Sequence, residues 1–246
     1  MHSPHTFANT LRRIARKLLR RPQYSNIPTH PFDLTHGVDT SGLIAGADLA
    51  TANNAHITAY WGTAPSLFSA AITHWANSLP AIPNYTFLDI GCGKGRVAML
   101  ASNYPFHQII GIEIDTQLIA IARQNLTRWQ TTPHACNNVV LIHEDVLSAE
   151  IPPTPILLYL FNPFDAHILQ RLLDRLQTLT LTRPAIAPID ILYVHPAHAD
   201  LFDNITSLHR LWDGYIPLTP EDTAADFDHC QGERCCIYRL LPPTKH

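Results

Sequence analysis

No apolar run in the chain approaches the ~18–20 residues that a membrane-spanning helix needs, so no membrane span is expected. The basic N-terminal stretch also lacks the apolar core of a secretory signal, which leaves a cytoplasmic protein as the expectation. Cysteine is scarce and odd in number; five residues without regular spacing fit a reducing compartment rather than a disulfide framework. Cys230, Cys235 and Cys236 lie near His229, yet their spacing matches no zinc pattern and the pair leads into the apolar run Cys236-Ile237-Tyr238, so no metal is expected. Charge is low as well: 15% charged against 46% hydrophobic residues is the balance of a folded globular chain and excludes a disordered one. Acidic residues are missing altogether before Asp33, while six of the seventeen basic residues crowd into "LRRIARKLLRR" at 11–21. The rest of the chain carries eleven basic against twenty acidic residues, a formal −9. Leu11, Ile14, Leu18 and Leu19 share one helical face there. The segment suits a nucleic-acid arm, a membrane-surface helix or a targeting segment, but also a terminal helix that packs its leucines and solvates its arginines. With no basic stripe in the acidic remainder, a nucleic acid is not the favoured partner.

Glycine is the most telling scarcity. The chain has only ten in 246 residues, yet "FLDIGCGKGR" (87–96) places three of them within five positions. Phe87-Leu88-Asp89-Ile90 reads as a buried strand ending near a carboxylate, and Val97-Ala98-Met99-Leu100-Ala101 as the start of a helix. Gly91, Gly93 and Gly95 can take positive φ and let a ligand lie against the main chain. A strand, a glycine turn and a helix N-terminus predict a nest of backbone N–H groups that receives an anion.

Around that loop the pattern alternates. Strands are expected at 86–90, 108–114, 139–143, 156–161 and 189–195, and helices at 95–103, 116–129 and 165–179. Apolar strands alternating with helices predict an α/β fold, a Rossmann-like doubly wound and mostly parallel sheet covered on both faces. Two further strands at 205–213 and 235–241, joined by the polar loop "TPEDTAADFDHCQGE", predict an antiparallel C-terminal pair. Upstream, Leu67, Phe68, Ala71, Trp75 and Leu79 recur at helical spacing, after a Pro- and Thr-rich stretch over 22–50. The expected division is a basic helix and helical cap over 1–80 and a ligand-binding domain over 81–246.

Two nucleotide fingerprints fail here. The dinucleotide pattern needs a third glycine where Arg96 stands, and the Walker pattern is broken by Lys94 between Gly93 and Gly95. What remains is D-x-G-x-G-x-G from Asp89 to Gly95, followed by "GIEID" and "LIHEDV" at the ends of the next two strands. This ordered set, from Pro83 onward, resembles the class I S-adenosylmethionine-dependent methyltransferases. The stretches "HPFDLTHGVDTSGLI" (30–44) and "HITAYWGTAPSLF" (56–68) are similar, more loosely, to a bacterial group of that class without a settled substrate.

The resemblance implies S-adenosyl-L-methionine as cofactor and assigns roles that the chemistry allows. The loop Gly91, Cys92, Gly93 and Gly95 would meet the amino-acid end, with Asp89 accepting from its ammonium. Glu113, beside Ile114, would take the ribose hydroxyls. Asp145 would accept from the adenine amino group while the Val146 amide donates to the ring; a turn or helix-cap role for Asp145 stays open. Tyr60 and Thr63 would touch the cofactor from above, in a segment over 30–68 that closes as a lid. After the fourth strand, Asn162-Pro163-Phe164 is similar to the Asn-Pro-Pro-aromatic motif of methyltransferases acting on nitrogen, without its second proline. Asn162 would then accept the protons of a nitrogen nucleophile, Pro163 and Phe164 would contact the substrate, and His195 is a second catalytic candidate; an ordinary Asn-Pro turn remains the alternative. The expected reaction is methyl transfer to an amine of a small molecule or protein, the acceptor itself being unknown. The rivals are a nucleic-acid methyltransferase that uses the basic arm, and a non-catalytic binder of the cofactor.

Overall fold

The computed structural model describes residues 27–49, 56–77, 81–183 and 188–241. The expected amphipathic helix at 11–21 and Leu79 lie outside them. In chain order the cap region contributes α1 (Pro31–His36), β1 (Leu43–Ile44), β2 (Tyr60–Trp61) and α2 (Pro65–Ala76). There follow β3 (Thr86–Ile90), α3 (Arg96–Ala101), β4 (Gln108–Glu113), α4 (Thr116–Trp129), β5 (Val139–His143), β6 (Ile156–Phe161) and α5 (Ala166–Thr182). The chain then forms β7 (Ile189–Val194), α6 (Ala199–Asp203), β8 (Leu208–Pro217), α7 (Pro220–Ala225) and β9 (Gly232–Leu240).

Seven strands form one sheet in the order β5-β4-β3-β6-β7-β9-β8. Neighbours from β5 to β7 are parallel, whereas β9 runs antiparallel to both β7 and β8. The fold is therefore the doubly wound, mostly parallel sheet with an antiparallel C-terminal pair that the alternation predicts. Side-chain alternation divides the core into two faces. Phe87, Leu157, Tyr159, Leu192 and Val194 pack with α2 and α3 on one side. Leu88, Ile90, Leu158, Leu160, Ile191 and Tyr193 pack with α5 on the other. Cys235 and Cys236 fall on opposite faces of β9, one in each cluster. Among the described residues no group of three or more His, Cys, Asp or Glu side chains is placed to hold a metal ion. No described helix is long and apolar enough to cross a membrane.

Local chemistry sets the element ends. Pro65 opens α2, which buries Leu67, Phe68, Ala71, Ile72 and Trp75. Asp115 caps α4 by accepting the Gln117 and Leu118 amides, and Asp165 caps α5 through the Ile168 amide. The C-terminal strands are displaced from the expected ranges, to 208–217 and 232–240, because much of the polar loop is folded. Thr219 accepts from the Asp222 amide and Pro220 stands first in α7, a helix start that shortens the connection.

Strand order reverses at β3, whose neighbours β4 and β6 lead away on opposite sides. A crevice at the carboxyl end of β3 follows from that reversal. The small antiparallel pair β1–β2 belongs to the segment that covers it.

Candidate active site

At the end of β3 the chain turns through Gly91, Gly93 and Gly95 at φ 70°, 55° and 86°. Two of these also make room for a neighbour. A Cβ on Gly93 would stand 2.3 Å from the Tyr60 ring, and one on Gly91 3.1 Å from Pro163 Cβ. The glycines thus let the cap and the loop after β6 close down on the main chain. The expected anion nest is not open, however. The Gly91 and Cys92 amides both donate to the Ile112 carbonyl, the Gly93 amide to Glu113 Oε2, and the Gly95 amide to the Cys92 carbonyl. Those four amides are committed to the end of β4 and within the loop, so close approach is what these glycines provide here.

Glu113 ends β4 with a buried carboxylate that accepts three amides, from Gly93, Ile114 and Asp115, at 2.8–2.9 Å. Burial raises its pKa against the pull of those hydrogen bonds. Asp89 is 2% exposed, and its Oδ2 has no hydrogen-bond partner. Burial first, and then the negative charge of Glu113, push it up to about 8. A buried, unpartnered carboxylate oxygen is costly unless something comes to it. A cationic N–H donor is the group that fits.

Both carboxylates line a cleft enclosing about 1060 Å3 up to its open mouth. Its wall also includes Gly91, Cys92, Ile114, Asp145 and Val146, with Tyr60 and Thr63 from the cap and Pro163 and Phe164 from the loop after β6. Asp145 holds its own turn through the Leu147 amide on Oδ1, so the structural role is present alongside its place in the wall. Gly93 and Gly95 are not in the lining; Tyr60 covers the first and Ala122 lies 3.2 Å from where a Cβ on the second would be.

Asn162 and His195 also fall outside the lining. Asn162 adopts φ 43°, its side-chain oxygen accepts from the Tyr193 hydroxyl at 2.9 Å, and its carbonyl accepts from Thr58 Oγ1. The expected role of Asn162 in receiving the substrate's protons gains no support from this placement, outside the cleft wall and with Tyr193 and Thr58 donating to its oxygens. His195, at φ 51°, turns its Nδ1 to Glu233 Oε2 at 2.8 Å, which carries the ring away from the cleft as a catalytic candidate.

The cap is fastened by residues whose pairing spans the chain. Arg96, which excluded the dinucleotide pattern, is buried; its Nε donates to Thr40 Oγ1 at 2.6 Å, and Nη1 reaches the Gly62 and Thr63 carbonyls. Thr40 and Ser41 in turn donate to the buried Asp33 carboxylate. Burial raises the Asp33 pKa, but those hydrogen bonds and Arg96 outweigh it and hold it below the usual range. Lys94 Nζ donates to Asp39 Oδ1 at 2.7 Å and to the Ser41 carbonyl. On the far side, His30 Nδ1 accepts the Phe32 amide, so Nε2 carries the proton donated to Asp222 Oδ1 at 3.0 Å. Nothing in the local sequence pairs Asp33 with Arg96.

Comparison with known proteins bears on this geometry. Residues 87–179, from the glycine loop through α5, match the family model described as Methyltransferase domain. Over that stretch the chain is similar to a methyltransferase domain. Over 74 residues it is 35% identical to the ribosomal protein L11 methyltransferase of Hamiltonella defensa, covering 30% of this chain and 24% of that protein. It is 28% identical over 75 residues to the tRNA (guanine-N(7)-)-methyltransferase of Clostridium perfringens, covering 30% of this chain and 34% of that one. The chain thus spans only 24% and 34% of the length of these relatives. The crystal structure of magnesium protoporphyrin IX methyltransferase from Synechocystis, with bound S-adenosylmethionine, shares the fold at TM-score 0.50 and 9% identity, over 71% of this chain and 77% of that one.

Proposed function

We propose that the protein is an S-adenosylmethionine-dependent methyltransferase that modifies an amine nitrogen of a small molecule or a protein. The observation that carries this reading is the unpartnered Oδ2 of the buried Asp89 carboxyl beside Glu113 in a cleft at the reversal point of the sheet. Asp89 is suited to accept from the cofactor's ammonium, and Glu113 Oε2, with one amide already bound, can take a ribose hydroxyl. Asp145 and Val146, in the same wall, would meet the adenine edge. When bound, the cofactor supplies an electrophilic methyl carbon on a sulfonium. Orientation and exclusion of water then fall to the protein, through Tyr60, Trp61 and Thr63 above and Phe161 and Phe164 beside the cleft.

Its charge favours an amine. Glu113, Glu144 and Asp145 line the cleft against Arg96 and His56, and Arg96 is spent on the cap. A cationic acceptor would be drawn to that surface and a phosphate backbone repelled. Phe161, Phe164 and Trp61 offer aromatic faces to the positive charge that grows on nitrogen. An RNA acceptor is the second reading, supported by the basic segment 11–21 and the tRNA-methylating relative. Incubation with methyl-labelled cofactor and fractionated lysate separates the two. Label in amines or in protein is expected; label confined to RNA, or in no fraction, contradicts the proposal.

A further inference from the structure

We propose that His56, oriented by Asp165, is the base that removes the acceptor's proton, an inference that rests on the methyltransferase reading above. His56 is in the cleft wall, which Phe164 and Ile168 also line. Its Nδ1 lies 2.7 Å from Asp165 Oδ2. The other oxygen of Asp165 accepts the Ile168 amide and caps the seventeen-residue α5, which fixes the carboxylate in place.

The backbone repeats the contact. The Asp165 amide donates to the His56 carbonyl at 3.0 Å, the Thr58 amide donates to the Pro163 carbonyl at 3.1 Å, and Ile57 pairs antiparallel with Phe164. A solvated chance ion pair would need none of this. Burial raises the Asp165 pKa, but the His56 hydrogen bond and charge and the Ile168 and His167 amides together outweigh it and hold it below the usual carboxylate range. An ionised carboxylate only accepts, so Nδ1 must carry the proton. The neutral ring therefore keeps its lone pair on Nε2. This is the arrangement in which a carboxylate selects the tautomer and orientation of a base.

The other candidates lie elsewhere: neither Asn162 nor His195 is in the cleft wall. Among the described residues that line the cleft, His56 is the only imidazole. The ionisable groups around it are Asp165 and His167 from the start of α5, the latter with its ring centroid 5.8 Å away, and Glu144 and Asp145 in the same cleft wall. In the step itself, the acceptor nitrogen's lone pair forms the bond to the methyl carbon and the carbon–sulfur bond breaks, its electron pair staying on sulfur. The proton the nitrogen must lose passes to His56 Nε2. The resulting imidazolium is held by Asp165, and since both side chains are 43% exposed, the proton can leave to solvent.

The test has two arms. In the first, 15N-histidine NMR of the full chain with S-adenosylhomocysteine added should show the neutral form of the His56 ring protonated on Nδ1 and bare on Nε2. Asp165→Asn should abolish that preference. A wild-type ring protonated on Nε2 instead overturns the proposal without any assay. In the second, labelled S-adenosylmethionine is offered with a panel of arylalkylamines, phenols and a lysine peptide. His56→Gln should slow transfer at least tenfold and remove the acid limb of the pH–rate profile, Asp165→Asn should slow it less, and free imidazole should restore part of the rate to His56→Ala. Wild-type and His56→Gln rates within twofold, with the same pH profile, overturn the base while leaving the methyltransferase reading intact. No transfer by the wild type to any member overturns both. Transfer to phenols alone retains the base and removes the amine.

Discussion

At the scale of single residues the account turns on Asp89. In an unfolded chain its carboxyl would titrate near ~3.9; in the fold, burial and Glu113 move it up to about 8. A raised native pKa means that the folded state holds the proton more tightly, so this contribution to stability is complete below about 4 and is lost as pH rises towards about 8. The ligand-free protein should therefore melt at progressively lower temperature between pH 5 and 8, and Asp89→Asn should flatten that slope. Melting curves across this range, with and without S-adenosylmethionine, check it; the ammonium of the ligand should ionise Asp89 and remove most of the pH dependence. An unchanged slope in Asp89→Asn would refute the assignment. The positions of Asp89, Gly91 and Glu113 around one cleft were legible because the three lie on a strand–turn–helix–strand unit whose spacing is local. Asp33 and Arg96, or His56 and Asp165, were not, because each pair meets only through the tertiary fold and leaves no periodic trace.

Among the elements, the cap is the decisive one. The segments at 30–41 and 56–63 are fixed by Arg96, which ties Thr40, Gly62 and Thr63 to the first turn of α3. Removing one member of a buried ionic network leaves its partners unpaired, at a cost of about 3–5 kcal/mol. Arg96→Ala should release the cap: hydrogen exchange in 30–41 and 56–63 should accelerate while β3, β4 and β6 stay protected. Uniform acceleration across the sheet, or none in the cap, would contradict this anchoring role. Alternation of apolar strands with amphipathic helices made the central elements readable. The edge was harder. β8 and β9 form a long ribbon with an irregularity between Arg210 and Trp212, and β8, the outermost strand among the described residues, alternates weakly. The helix start at Thr219-Pro220 was written in the sequence but sat inside a stretch whose polarity reads as loop.

For the whole molecule, the sheet brings the ends of β3, β4, β5 and β6 to one crevice, and the cap supplies its aromatic roof. The acidic balance of the cleft and the basic segment at 11–21 pull towards different partners, and the cleft is where chemistry would occur. Every role assigned above, from Glu113 to His56, presupposes that this crevice takes S-adenosylmethionine and rejects a dinucleotide. Isothermal titration of the full chain with S-adenosylmethionine and, separately, with NAD tests that directly. The account predicts saturable binding of S-adenosylmethionine at one site, weakened by Glu113→Gln, and no heat of binding with NAD. Binding of NAD with none of S-adenosylmethionine would contradict it.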